Sequence, residues 1–269
     1  MGAWLAAAFG YPYYVLPLCM LCCSGGVYNI VYAFGFGYGL SMAANGIVAS
    51  VNLDQTRFKP DSYGHLARFG HAMGYVAYGV RLFMFLYQRH HAESFSEKAA
   101  QTQSKSDSLP ILSKVQISVM VGTLMALYHV GLYYHCISAR KPTVLTWCGM
   151  GISAVGLAIE SIADAQKFYE KSLNPTSFVS TGLYKYSRHA NYFGEILFHA
   201  GLYLTGVPSY TTWFQVVSSA VAPGMLTMVM FGATKSLEKK QLQKYGADAA
   251  YMAYRAATPV LFPFFGSKD

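Results

Sequence analysis

Charge is scarce in this chain, and negative charge is scarcest. Of 269 residues, 12 are Asp or Glu and 20 are Lys or Arg, so only 12% are charged, about half the share in an ordinary soluble domain. No charged residue precedes Asp54, and the first positive one is Arg57. The start thus lacks the basic stretch of a cleavable signal peptide and the arginines of a mitochondrial presequence. Ala6 stands where a myristoylation signal at Gly2 wants Ser or Thr. No GxGxxG or Walker loop is present, so a nucleotide site would have to be built from side chains between helices. HExxH, GxSxG and zinc-ligand spacings are missing too, which argues against metalloprotease, α/β-hydrolase and zinc-finger chemistry. The five cysteines (Cys19, Cys22, Cys23, Cys136, Cys148) sit in or near apolar segments. Cys23 spoils the CxxC of Cys19 and Cys22, and all five read as small buried apolar residues.

What fills the chain is apolar. It is 54% hydrophobic with a mean hydropathy of +0.28, which predicts an all-α, polytopic transmembrane helical bundle of about seven spans. Residues 12–53 have room for two, with a break at Gly35–Gly39, and the Gly, Ala and Ser there suit close helix packing in lipid. A polar loop follows over 54–69, then spans over 70–88, 115–137, 144–163, 191–207 and 210–231, with Pro223 as a kink. Residues 89–114 read as a flexible connection and 164–190 as a basic connector. The tail is predicted helical from Ser236 to Ala256 and stopped by Thr258-Pro259. With seven spans, 14 of the 20 Lys and Arg fall on one side of the membrane, which the positive-inside rule assigns to the cytosol or its equivalent. The surplus favours an anionic ligand there.

Polar residues inside apolar segments need a reason. Glu160, Asp164 and Lys167 fall on one helical face at the end of the fifth span. Asn191, Glu195 and His199 do so at the start of the sixth. Arg188 and His189 lie between them in sequence, and the tail adds Lys235, Glu238, Lys239, Tyr251, Tyr254 and Arg255. One reading is internal ion pairing, Glu160 with Arg188 and Glu195 with a lysine. The other is a cofactor pocket, with cations for phosphate or carboxylate and carboxylates for ribose hydroxyls. Arg81, apolar-flanked on both sides, is expected to snorkel or to pair with Glu160 or Glu195. His90 and His91 point about 100° apart on a helix and make a poor metal pair. His129 and His135 suit packing or interhelical hydrogen bonds better than metal.

Three segments, ESIADAQK (160–167), TGLYKYSRHANYFGE (181–195) and SLEKKQLQKYGADAAYMAYRAATPVLFP (236–263), resemble the DUF1295 branch of the steroid 5-alpha-reductase C-terminal family, and VRLFMFLYQR (80–89) resembles its earlier Arg-Leu segment. The reading is one membrane domain, 1–269, in which 75–265 is reductase-like and 1–74 lies outside the resemblance. The family implies a helical bundle with a cofactor cavity open to the positively charged side. It also implies NADPH-dependent reduction of an activated carbon–carbon double bond in a lipid. Carried over, the cofactor contacts are Glu160, Asp164, Arg188, His189, Asn191, Tyr192, Glu195, Tyr254 and Arg255, and the catalytic residue is unassigned. The related isoprenylcysteine carboxyl methyltransferases make S-adenosylmethionine the alternative cofactor. Two departures stand out. Ala190 replaces the family's proline, and no carboxylate before Asp54 matches the acid that steroid reductases use on the substrate carbonyl. Tyr28, Tyr32, Tyr38, Tyr75 and Tyr78 are the open candidates for a hydroxyl. Expected partners are the bilayer and a lipid-like substrate, with no nucleic acid. The expected location is the endoplasmic reticulum. The alternative is a non-catalytic subunit of a larger membrane complex, such as a respiratory assembly of the mitochondrial inner membrane.

Overall fold

A computed structural model describes residues 12–53 and 61–264. The described residues form helices with no strand. The readings that concern Gly2, Ala6, Asp54 and Arg57 lie outside the described residues. The helices are α1 (Val15–Cys23), α2 (Ile30–Asn52), α3 (Ser62–His90), α4 (Glu93–Asp107), α5 (Ile111–Ile137), α6 (Val144–Leu173), α7 (Ala190–Gly206), α8 (Trp213–Tyr245) and α9 (Ala249–Ala257). Four of them, α2, α5, α6 and α8, are long and apolar enough to cross a membrane. The 17 residues of α7 span about 25 Å at 1.5 Å each, short of a hydrocarbon core of about 30 Å. α3 is long, but its three arginines dilute its apolar character.

Several boundaries differ from the sequence reading. The first break falls at Asn29, whose side chain caps α2 by accepting from the Val31 N–H at 3.0 Å. Gly35–Gly39 does not interrupt the helix, which passes through it with a π-turn at Ala33–Gly37. The polar loop ends at Asp61, which caps α3 by accepting from the Gly64 N–H at 2.7 Å. The expected flexible stretch 89–114 holds α4. Its polar sequence is kept helical by tertiary contacts: Ser106 Oγ accepts from the Ile30 N–H at 3.1 Å, and Gln103 Oε1 accepts from Asn29 Nδ2 at 2.6 Å. α8 runs through Pro223. The predicted tail helix is divided, because α8 ends at Tyr245 and Asp248 starts α9 by capping Ala250 N–H at 2.8 Å.

The chain divides into two compact units. The first comprises residues up to Trp147 together with Thr205–Ala222, and the second comprises Cys148–Leu204 and everything from Pro223 onward. Within the first unit, α2 and α3 touch backbone to backbone. A Cβ on Gly79 would collide with the Gly39 carbonyl. Arg81 lies 5.4 Å from the Phe85 ring centroid. His135 on α5 bonds His71 on α3, Nδ1 to Nδ1, at 2.8 Å. No group of three or more metal-ligating side chains occurs among the described residues.

Within the second unit, α6 and α7 form a seam with almost no side-chain thickness. A Cβ on Gly194 would lie 2.5 Å from Glu160 N and 2.8 Å from the Gly156 carbonyl oxygen. Further along, Ser153 Oγ donates to Phe198 O at 3.1 Å. This close approach sets the middle of α6 against the first turns of α7, and Glu160 and Asp164 sit beside it.

Candidate functional site

All nine residues carried over from the resemblance lie in the second unit. Glu160 and Asp164 are buried on α6. Arg188 and His189 are buried in the turn before α7. Glu195 is buried, and Asn191 and Tyr192 half-buried, on the first turns of α7. Tyr254 and Arg255 are half-buried on α9. The structure joins six of them through two centres: Arg188, His189 and Arg255 at the first, and Asp164, Asn191 and Tyr254 at the second.

The first centre is Glu238. It is a lone acid between Lys235 and Lys239 on α8, and its side chain is 12% exposed. Arg188 grips it with two nitrogens: Nη2 donates to Oε2 at 2.8 Å and Nε to Oε1 at 3.3 Å. His189 Nε2 lies 2.8 Å from Oε1, and Arg255 Nε lies 3.8 Å from Oε2. The other arm of Arg188 caps α9: Nη1 donates to the carbonyls of Arg255 at 2.5 Å and Thr258 at 2.9 Å. The main chain repeats the attachment, with Arg188 N donating to Pro259 O at 3.0 Å and His189 N to Val260 O at 3.1 Å. Thr258-Pro259 therefore does more than end a helix. Its extended backbone gives the arginine turn something to bond to. Glu238 carries no motif signal beyond being an acid among lysines, which is why the sequence reading named Glu160 as the partner of Arg188.

The second centre joins α6 to α7. Asn191 Nδ2 donates to Asp164 Oδ1 at 3.2 Å. Beside them the Tyr184 ring packs with Ala163 and Ala190, so the residue that replaces the family's proline forms one wall of the tyrosine's slot. Lys167 Nζ stands 5.8 Å from the Tyr184 ring centroid. Tyr254 OH donates to the Tyr184 carbonyl at 2.8 Å, which ties α9 to the connector. Phe178 stacks on Tyr254 with centroids 5.7 Å apart.

Tyr184 is the residue the sequence reading missed. It is 1% exposed, and its hydroxyl is buried without a hydrogen-bond partner. Burial, with the Asp164 charge next in size, pushes its ionisation well above the usual phenol range, so it stays a neutral donor. An unsatisfied buried hydroxyl costs about 1–3 kcal/mol. The only available signal was a polar-tipped aromatic one step from the basic run.

The electrostatics set a pH dependence. Burial lowers the His189 pKa and outweighs the Glu238 bond, which raises it; Lys167 and Arg188 add to the lowering. The folded value is below the unfolded value of about 6.5, so the unfolded chain binds more protons as pH falls. This contribution to stability is fully present above pH ~6.5 and is lost on acidification below it. Thermal melts in detergent at pH 8 and pH 5.5 should show a larger loss for wild type than for His189→Gln. Equal losses would remove His189 from the account.

Asp164, Asn191 and Glu195 suit hydroxyl recognition. Lys167 and Arg255 are cations not wholly enclosed. The Tyr184 hydroxyl is a buried donor awaiting an acceptor. A family model described as "Protein of unknown function (DUF1295)" matches residues 71–258. No curated protein and no solved structure matches the chain.

Proposed function

The chain belongs to the DUF1295 family, and on that premise we propose that it is a membrane-embedded, NADPH-dependent reductase of a conjugated carbon–carbon double bond in a lipid or steroid-like substrate. Its apolar helices fit an integral membrane protein, and the endoplasmic reticulum is the proposed location. The observation that carries the reading is the unpartnered Tyr184 hydroxyl, buried beside the Asp164–Asn191 pair. A buried donor with no acceptor is a standing cost, and a bound oxygen would remove it.

In this reading NADPH, when bound, supplies a hydride to the β-carbon, and a proton completes the reduction at the α-carbon. Asp164 and Asn191 hold ribose hydroxyls, and Glu160 and Glu195 complete that wall. Lys167 and Arg255 meet phosphates. Arg188, His189 and Tyr192 brace the turn, and Tyr254 fastens α9 over it. The tight α6–α7 seam excludes water from the buried acids, which strengthens each of these contacts.

The test is a titration of the purified chain with NADPH, NADH and S-adenosylmethionine. NADPH should bind saturably. Tyr184→Phe should leave the ligand-free melting midpoint unchanged or higher, because it deletes a group without a partner. It should weaken NADPH binding by roughly 3–10-fold, the worth of one hydrogen bond. Saturable S-adenosylmethionine binding without NADPH binding would replace the reductase with a methyltransferase. One observation favours a further reading: the Arg188 guanidinium is already engaged by Glu238 and two carbonyls, as in a scaffold. A chain that binds neither cofactor and co-purifies with a large assembly would be a non-catalytic membrane subunit.

A further inference from the structure

At one end of the first unit a cation is buried with no carboxylate within ion-pair distance among the described residues; Asp61 acts on it only from further away. Arg68, two turns into α3, is 3% exposed. Its Nη2 donates to the carbonyls of Ser138 and Arg140, just past the end of α5. Its Nη1 is buried with no hydrogen-bond partner, and no carboxylate pairs with it among the described residues. A guanidinium does not lose its proton in a protein. The carbonyl bonds satisfy Nη2 alone, and no carboxylate lies within ion-pair distance among the described residues to offset the charge.

The neighbours add charge of the same sign. Arg140 Nη1 donates to Pro208 O at 3.3 Å and Tyr210 O at 3.0 Å, which ties the turn before α8 to the end of α5. Lys141 Nζ reaches Asp61 Oδ2 at 3.8 Å with its side chain 86% exposed, while Asp61 Oδ1 caps α3. One turn deeper, His71 and His135 share an Nδ1–Nδ1 bond at 2.8 Å, which needs one proton between the two nitrogens, so the pair contributes no negative charge. Among the described residues, three fixed cations therefore face a single carboxylate, Asp61.

A second observation identifies the surroundings. The starts of α3, α6 and α8 lie at this end, and each carries an exposed amphipathic ring: Tyr63 at 73%, Trp147 at 39% and Trp213 at 80%. Such rings collect where hydrocarbon gives way to headgroups. Leu66 and Phe69 flank Arg68 on α3, and both are exposed, as residues are that face acyl chains. Basic pockets between transmembrane helices can hold anionic headgroups by paired cations, as those on the cytoplasmic or matrix side do.

We propose that Arg68, Arg140 and Lys141 form a binding site for the phosphate of an anionic phospholipid. The buried Nη1 of Arg68 is the inner donor, and the other two cations form the rim. The acyl chains lie along the apolar face that includes Leu66 and Phe69.

The experiment uses the full chain in neutral detergent, with melting midpoints and native mass spectrometry. The probes are phosphatidylglycerol, phosphatidylcholine and inorganic phosphate. Phosphatidylglycerol should raise the midpoint and remain as a mass adduct, and phosphatidylcholine should do neither. The Arg140→Gln/Lys141→Gln double variant, altered on the rim, should fold normally and lose about fivefold in phosphatidylglycerol affinity for each cation removed. Arg68→Gln keeps a donor for the Ser138 carbonyl and should lose the lipid-dependent shift entirely. If Arg68→Gln does not fold, the double variant decides. Equal shifts with both lipids, an undiminished shift in the rim variant, or a full shift from inorganic phosphate alone would overturn the proposal.

Discussion

Glu238→Ala should destabilise the second unit by about 3–5 kcal/mol, the cost of removing one partner from a buried ion pair. The reason lies in what is left behind. Arg188, with its side chain 1% exposed, would keep its charge and lose both of its bonds to Glu238, and His189 would lose its acceptor. Arg188 also holds the end of α9 and pairs with the 258–260 backbone. The effect should therefore spread, and limited proteolysis should cut first near α9 while the first unit remains protected. Glu238→Gln separates charge from shape. It retains an acceptor for one arginine nitrogen and should cost less than alanine. A melting midpoint within about 2 °C of wild type for Glu238→Ala would show that the cluster is not under the strain its burial implies.

Gly194→Ala should cost about 1–3 kcal/mol, the usual range for overpacking. Its larger effect should be on the site. The added methyl would meet Glu160 N and the Gly156 carbonyl, both main-chain atoms in the middle of α6, so no side chain can rotate aside. The helices must separate, and the 3.2 Å Asp164–Asn191 bond is four or fewer residues from the point of contact. Under the proposed reductase reading, NADPH binding should fall by more than the stability loss alone explains. Gly224→Ala is the control: the same change on α8, where an added Cβ meets nothing within 4 Å. Equal behaviour of the two variants would mean that the seam tolerates separation.

Some of the polar grouping was legible because it is written in local patterns. The acids of 160–164 share one helical face, and the basic run ends where an apolar helix begins. The nine residues carried over from the family resemblance all fall in one compact unit. What was not legible was how they are wired. Arg188 meets Glu238, 50 residues away, because the last turns of α8 pass beside the arginine turn, and spacing along the chain says nothing about that. α4 was misread for the same kind of reason. Its composition is that of a solvated linker, and it is ordered by bonds from Asn29 and Ile30 more than seventy residues earlier. Helix propensity is a weak guide when tertiary contacts outweigh it.

The amino-acid sequence by itself determined that this chain is helical, largely apolar and a member of its family, since those follow from composition, periodicity and motif order. Tertiary structure alone decided which charges neutralise each other and which stay without a carboxylate beside them. Among the described residues, it gave Arg188 a carboxylate, left Arg68 hydrogen-bonded to carbonyls alone, and buried the Tyr184 hydroxyl with no acceptor. The physical reason is that desolvation and pairing depend on which helix ends meet in space, and each of those meetings joins segments far apart along the chain.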